Sequence, residues 1–153
     1  MVLGTGGTIA GAAPGPLDNL GYHAACLGVD RLIATLPALH HLTIVAEQVA
    51  QIDSKDMGFE TLGRLAQRCA HWIGQEDVQG VVITHGTDTL EETALFLQMV
   101  LAPGKPIVLT CAMRPATSLA ADGPQNLLDA LTVAAAEGAH GVVAVCAGVI
   151  HGA

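Results

Sequence analysis

Short apolar runs alternate with helix-patterned segments along this chain, and that alternation restricts its fold more than any other feature. Residues 1–3, 42–52, 80–84, 106–111 and 141–146 read as strands, and residues 29–36, 58–73, 89–101 and 124–137 read as helices between them. In 58–73, Leu62, Leu65, Ala66, Cys69 and Ile73 keep the i, i+3, i+4 spacing of an amphipathic helix. In 89–101, Leu90, Ala94, Leu97 and Leu101 share one face. Pro37 stops the first helix, and Pro124 sits near the first turn of the last. Asp88 with Glu91, or Thr89 with Glu92, offers a capping box. The runs 80–84 and 106–111 are apolar throughout, as parallel strands covered on both faces are. A β-α repeat of this kind implies an α/β, three-layer fold: a mainly parallel sheet, right-handed crossovers and helices on both faces. Residues 11–23, rich in Gly and Pro with Asp18 and Asn19, read as a mobile loop.

Composition narrows the class further. The 153 residues suffice for one domain with a sizeable core, with 51% apolar residues but only 3% aromatic ones. Gly, Pro, His or charge interrupts every apolar run before 18 residues, so no membrane span is expected. The net charge is −8, and the six basic residues are scattered, so the electrostatic footprint of nucleic-acid binding is missing. A small ligand is the expected partner. Cys26, Cys69, Cys111 and Cys146 lie far apart without a CxxC, which argues against zinc ligation and a disulfide framework. Cys111 and Cys146 fall in apolar runs and read as small core residues. His40-His41 is adjacent and no HExxH occurs, so no metal is expected, and His85 reads as a packed, hydrogen-bonded residue. No signal peptide is visible, and the sequence assigns neither cytoplasm nor periplasm.

Ligands of open α/β sheets bind beyond the carboxyl ends of the strands. Thr8, Ser54, Thr87-Asp88 and Ala112 each fall just after a strand-like run, so they are expected to converge on one crevice. Gly4-Thr5-Gly6-Gly7-Thr8-Ile9-Ala10-Gly11 and Thr84-His85-Gly86-Thr87-Asp88-Thr89 both place threonines in tight turns. A hydroxyl there, beside exposed backbone N–H groups, is a candidate nucleophile with a ready oxyanion site. The first turn, Gly4-x-Gly6-x-x-Ile9, lacks the third glycine and the later acidic residue of a dinucleotide fingerprint. A serine-hydrolase elbow, GxSxG, is missing too. A nucleotide-binding module and a non-catalytic ligand-binding domain are the alternatives to a hydrolase. In the blander reading, the glycines serve a turn and Asp88 or Thr89 only caps a helix.

With both turns in hand, the chain resembles the bacterial L-asparaginase family, its high-affinity type in particular. Thr5–Gly11 is similar to the first family signature and His85–Ala94 to the second. Ser54-Lys55-Asp56-Met57, Ala112-Met113-Arg114-Pro115 and Ala121-Asp122-Gly123-Pro124 are similar to further landmarks. The resemblance implies hydrolysis of L-asparagine to L-aspartate and ammonia without a cofactor, on a flavodoxin-like N-terminal domain. Glutamine is the related substrate. It implies Thr8 as nucleophile, assisted by Tyr22 from a closing loop, and Thr87 with Asp88 as a second cluster. Thr87 would orient the attacking group, and Asp88 would receive the substrate ammonium. Ser54 would hold the α-carboxylate, helped by backbone near Asp53 and Gly86. Lys55 would adjoin the substrate, and Ala112 would offer a backbone contact to the amide end.

The resemblance covers roughly the first half of a family subunit. Residues 1–153 are therefore expected to be an N-terminal domain clipped at both ends, from a protein that forms a homotetramer. The family's lysine partner of Thr87-Asp88 would lie beyond Ala153, so the chain alone is expected to be weak or inactive. Lys55 stands where many members carry glutamine, and Cys146-Ala147-Gly148 stands where a polar pair is usual. The cysteines do not fall at the positions of the disulfide in some periplasmic members.

Overall fold

The computed structural model describes residues 1–36 and 42–153. Pro37 and His40-His41 lie outside the described residues. The elements run β1 (Val2–Gly6), α1 (Val29–Ala34), β2 (Ala46–Ile52), α2 (Phe59–Ile73), β3 (Val81–Thr84), α3 (Leu90–Leu101), β4 (Ile107–Thr110), α4 (Gly123–Ala134), β5 (Val142–Cys146) and β6 (Val149–Gly152). The sheet order is β2-β1-β3-β4-β5-β6. The first five strands pair in parallel and β6 adds antiparallel to β5. The expected three-layer α/β fold is thus the observed one.

The layers follow from the two-residue period of buried strands. Val2, Val82, Val108 and Val145 turn to one face and pack with Val29 and Leu32 of α1 and Leu127 and Leu131 of α4. Leu3, Ile83, Leu109 and Ala144 turn to the other and pack with Leu65 and Cys69 of α2 and Ala94 and Leu97 of α3. No helix among the described residues is long and apolar enough to cross a membrane.

Several elements depart from expectation for physical reasons. Strand β1 does not end at Leu3 but runs through Gly4 to Gly6. A Cβ on Gly4 would lie 2.7 Å from Gln48 Nε2, so glycine there admits the Gln48 side chain. Gln48 Oε1 in turn accepts the first amide of α1, Val29 N, at 2.8 Å. Neither expected capping box forms at α3: Thr89 makes no side-chain cap, because its hydroxyl donates to Ser54 O at 2.9 Å. The β5–β6 hairpin has no counterpart in the expected elements. Its two-residue loop is Ala147-Gly148, with φ of 52° and 75°. Alanine is an uncommon residue at such a position, so the usual Asn-Gly signal is missing. The 11–23 loop folds back on itself through the Ala12–His23 bridge and is tied to the 115–119 turn by Ala116 N to Gly11 O and Leu119 N to Pro16 O.

Candidate active site

Three turns at the carboxyl ends of β1, β2 and β3 meet where the strand order reverses, the position at which open α/β sheets hold ligands. Their approach requires glycine. Gly7 has φ 76°, and a Cβ on it would lie 2.5 Å from Gly86 N. A Cβ on Gly86 would lie 2.6 Å from Ser54 Cβ. The backbones after β1 and β3 are therefore in direct contact, with the 3₁₀ turn Ser54–Asp56 against them.

A cavity of about 270 Å³ opens over this junction, lined by Thr8, Tyr22, Asp53, Ser54, Thr87 and Asp88, together with Leu20 and Ala24. Six of the residues singled out by sequence thus share one cavity. Thr8 sits in the 3₁₀ turn Thr8–Ala10, and its Oγ1 lies 2.7 Å from the Tyr22 hydroxyl. Ser54 Oγ accepts Asp88 N at 3.1 Å, so one hydroxyl bonds the backbone of the opposing turn. Leu20 and Ala24 escaped the sequence reading. The signal available for Leu20 was its place in the same loop as Tyr22.

The remaining expected residues lie around the cavity rather than in its lining. Gly86 lies against Gly7 and Ser54. Ala112, 1% exposed, packs in the core beside Ile9. It heads a loop held by Asp122, whose carboxylate accepts Met113 N and Arg114 N, each at 2.9 Å. Lys55 is exposed and pairs with Asp53, with Asp56 at 3.6 Å. The ammonium beside Asp53 holds that carboxyl below the usual range, and Asp53 raises the Lys55 ammonium in return.

His85 is fully buried, as its sequence context implied. Its Nδ1–H donates to Gly86 O at 2.7 Å, leaving Nε2 to accept the Thr93 hydroxyl at 3.1 Å. Desolvation lowers its pKa, so the ring is neutral in this tautomer and fixes Gly86. A second cavity, about 290 Å³, lies at the amino ends of the strands beside Met1, Val45, Trp72 and Gly80. It is slightly larger, but it lies at the end of the sheet opposite the ligand crevice.

The first turn does not behave as a phosphate cradle. A dinucleotide fingerprint opens directly into a helix, whereas this one leads into a single 3₁₀ turn, and α1 begins only at Val29.

A family profile described as Asparaginase, N-terminal matches residues 1–153. The chain is 46% identical over 142 residues to a glutaminase-asparaginase of Pseudomonas fluorescens biotype A, covering 92% of this chain and 39% of that protein. It is 43% identical over 141 residues to L-asparaginase 2 of Bacillus subtilis (strain 168), covering 92% and 38%. The crystal structure of a probable cytoplasmic L-asparaginase from Campylobacter jejuni superposes with a TM-score of 0.94 at 44% identity, covering 99% of this chain and 47% of that one. The chain thus spans about two fifths of the length of these curated relatives.

Proposed function

The chain belongs to the asparaginase family, through its N-terminal domain, and on that premise we propose that its cavity binds and hydrolyses the side-chain amide of L-asparagine in the whole protein. The observation that carries this reading is the 2.7 Å contact between the Thr8 and Tyr22 hydroxyls, on a cavity that also holds Ser54, Thr87 and Asp88. A zwitterionic amino acid needs a carboxylate for its ammonium, which Asp88 supplies. It needs donors for its α-carboxylate, which the Ser54 hydroxyl and neighbouring backbone amides supply. Its amide carbon then faces Thr8 Oγ1. Attack forms an ester to Thr8, the hydroxyl proton passes through Tyr22 towards the leaving nitrogen, and ammonia departs. Water cleaves the ester and restores Thr8.

A threonine hydroxyl is a weak nucleophile unless a neighbour activates it, and Thr87-Asp88 has no lysine partner among the described residues. Lys55 pairs with Asp53, and Lys105 donates to Gln75 O at 2.6 Å. The proposed hydrolysis is accordingly an activity of the whole protein, working as a homo-oligomer, a tetramer by family resemblance. Glutamine is the alternative substrate, with Lys55 as the side chain beside the site that would bias the choice.

In the whole protein, Thr8→Ala is expected to abolish ammonia release from asparagine, with aspartate affinity held within about tenfold, since only the bond-forming group is lost. Release of ammonia by that variant at the parental rate would overturn the assignment. Turnover of neither asparagine nor glutamine by the whole parental protein would overturn the enzyme reading in favour of a ligand-binding domain.

A further inference from the structure

Cys146 ends β5, and Cys111 directly follows β4, its neighbour in the sheet. In the parallel register of β4 and β5, Leu109 faces Ala144, so two residues further along the cysteines face each other. Their sulfurs lie 3.1 Å apart and both are free thiols. The backbone around them is held. Thr110 Oγ1 donates to Val145 O at 2.8 Å. Asn126, on α4, donates Nδ2–H to Cys111 O and accepts Ala147 N on Oδ1, each at 3.0 Å. One buried amide side chain thus fixes both cysteine-bearing segments. Adjacent strands lie about 4.8 Å apart, inside the Cα separation of about 4.4–6.8 Å that a disulfide accepts.

The two sulfurs differ in setting. Cys111 is buried, while Cys146 is half-buried and reachable from solvent. The hydrogen bond between the two thiols lowers Cys146, against the opposing effect of burial, and raises Cys111. An accessible sulfur with thiolate character, touching a protonated partner, has the arrangement of an attacking and a resolving cysteine.

We propose that Cys111 and Cys146 form an oxidisable dithiol site that closes to an intramolecular disulfide with a peroxide as oxidant. Cys146 sulfur attacks one peroxide oxygen, the O–O bond breaks, and Cys146 becomes a sulfenic acid as the first water leaves. Cys111 sulfur then attacks Cys146 sulfur, the S–O bond breaks, and a second water leaves. Two thiols lose two electrons, and one hydrogen peroxide becomes two waters. The bridge would link the end of β5 to the residue immediately before Ala112, and so to the loop held by Asp122. The site stands on the geometry and setting of the two thiols and is independent of the hydrolase reading.

The test is brief treatment of the native protein with hydrogen peroxide, followed by alkylation, intact mass and peptide mapping. The expected product is about 2 Da lighter before alkylation, takes up two fewer alkyl groups than the untreated protein, keeps Cys26 and Cys69 alkylatable after denaturation, and contains a Cys111–Cys146 peptide pair that a dithiol reductant reverses. Cys146→Ser and Cys111→Ser should each abolish that pair, whereas Cys26→Ser should keep it. Should the buried Cys111→Ser variant fail to fold, Cys146→Ser alone gives the same readout. Four alkylatable thiols after treatment, or oxidation confined to Cys26, would overturn the proposal.

Discussion

The Thr84 hydroxyl is buried at the end of β3 with no hydrogen-bond partner among the described residues. A buried hydroxyl left unpaired carries a desolvation penalty of about 1–3 kcal/mol. Thr84→Val keeps the branched shape and removes the hydroxyl, so it should stabilise the protein by about 1 kcal/mol, on the order of 2–4 °C in melting midpoint. Thermal unfolding followed by circular dichroism checks this, and a lower midpoint would mean that the hydroxyl has a partner. Thr5 offers the contrast: its equally buried hydroxyl donates to Thr84 O at 2.9 Å and bridges β1 to β3. Thr5→Val is therefore not the equivalent change. At this scale the sequence was most legible where chemistry and position coincide. Thr8, Ser54, Thr87 and Asp88 were findable because each follows an apolar run. Ser54's bond to the backbone of the opposing turn was not, since no local pattern encodes a partner 34 residues away.

Among the elements, the β5–β6 hairpin holds an avoidable strain. Ala147 sits at φ 52°, in the left-handed region, which is unfavourable for a residue with a Cβ and tolerated better by asparagine. Ala147→Asn should raise the urea midpoint, with a gain of about 0.5–1 kcal/mol. The main-chain bond from Ala147 N to Asn126 Oδ1 is available to either residue. No gain, or a loss, would show that the new side chain clashes with its surroundings. The same alanine explains why this hairpin was not read from the sequence, whereas the long helices were. Helix α2 announces itself through its apolar stripe, but a turn is announced by the residues in it, and Ala-Gly carries half the signal. Likewise the first amide of α1 is capped by Gln48, and the Thr89 hydroxyl is drawn away from α3 by Ser54 O, both from segments remote in sequence, so local capping patterns miss them.

For the whole molecule, stability against acid rests on groups that join the layers. Glu47 of β2 accepts Arg68 Nε at 2.6 Å, Arg68 Nη2 at 2.8 Å and Trp72 Nε1 at 2.8 Å from α2. The Arg68 hydrogen bonds hold its carboxyl below 4.5. A carboxyl depressed on folding contributes stability above its unfolded value, and that contribution fades as pH falls through the folded value. Stability measured by urea titration should therefore fall below about pH 4.5, and Glu47→Gln should lower the midpoint at pH 7 while flattening this acid limb. An acid limb of unchanged slope in the variant would remove Glu47 from the account. His85 acts in the same direction at higher pH: it is held neutral, so the unfolded chain takes up a proton below about 6.5 that the folded chain refuses.

The contact of Gly7 with Gly86 also bears on the order of events in folding. Strands β1 and β3 are neighbours in the sheet but some eighty residues apart in sequence, and parallel pairing of this kind forms slowly because a long loop must close first. Thr8 and Asp88 cannot be brought to one cavity before that closure. In a refolding experiment, helical signal should recover ahead of the Thr8–Tyr22 contact, and the cavity should arrive with the sheet, as a late reporter of a correctly threaded chain.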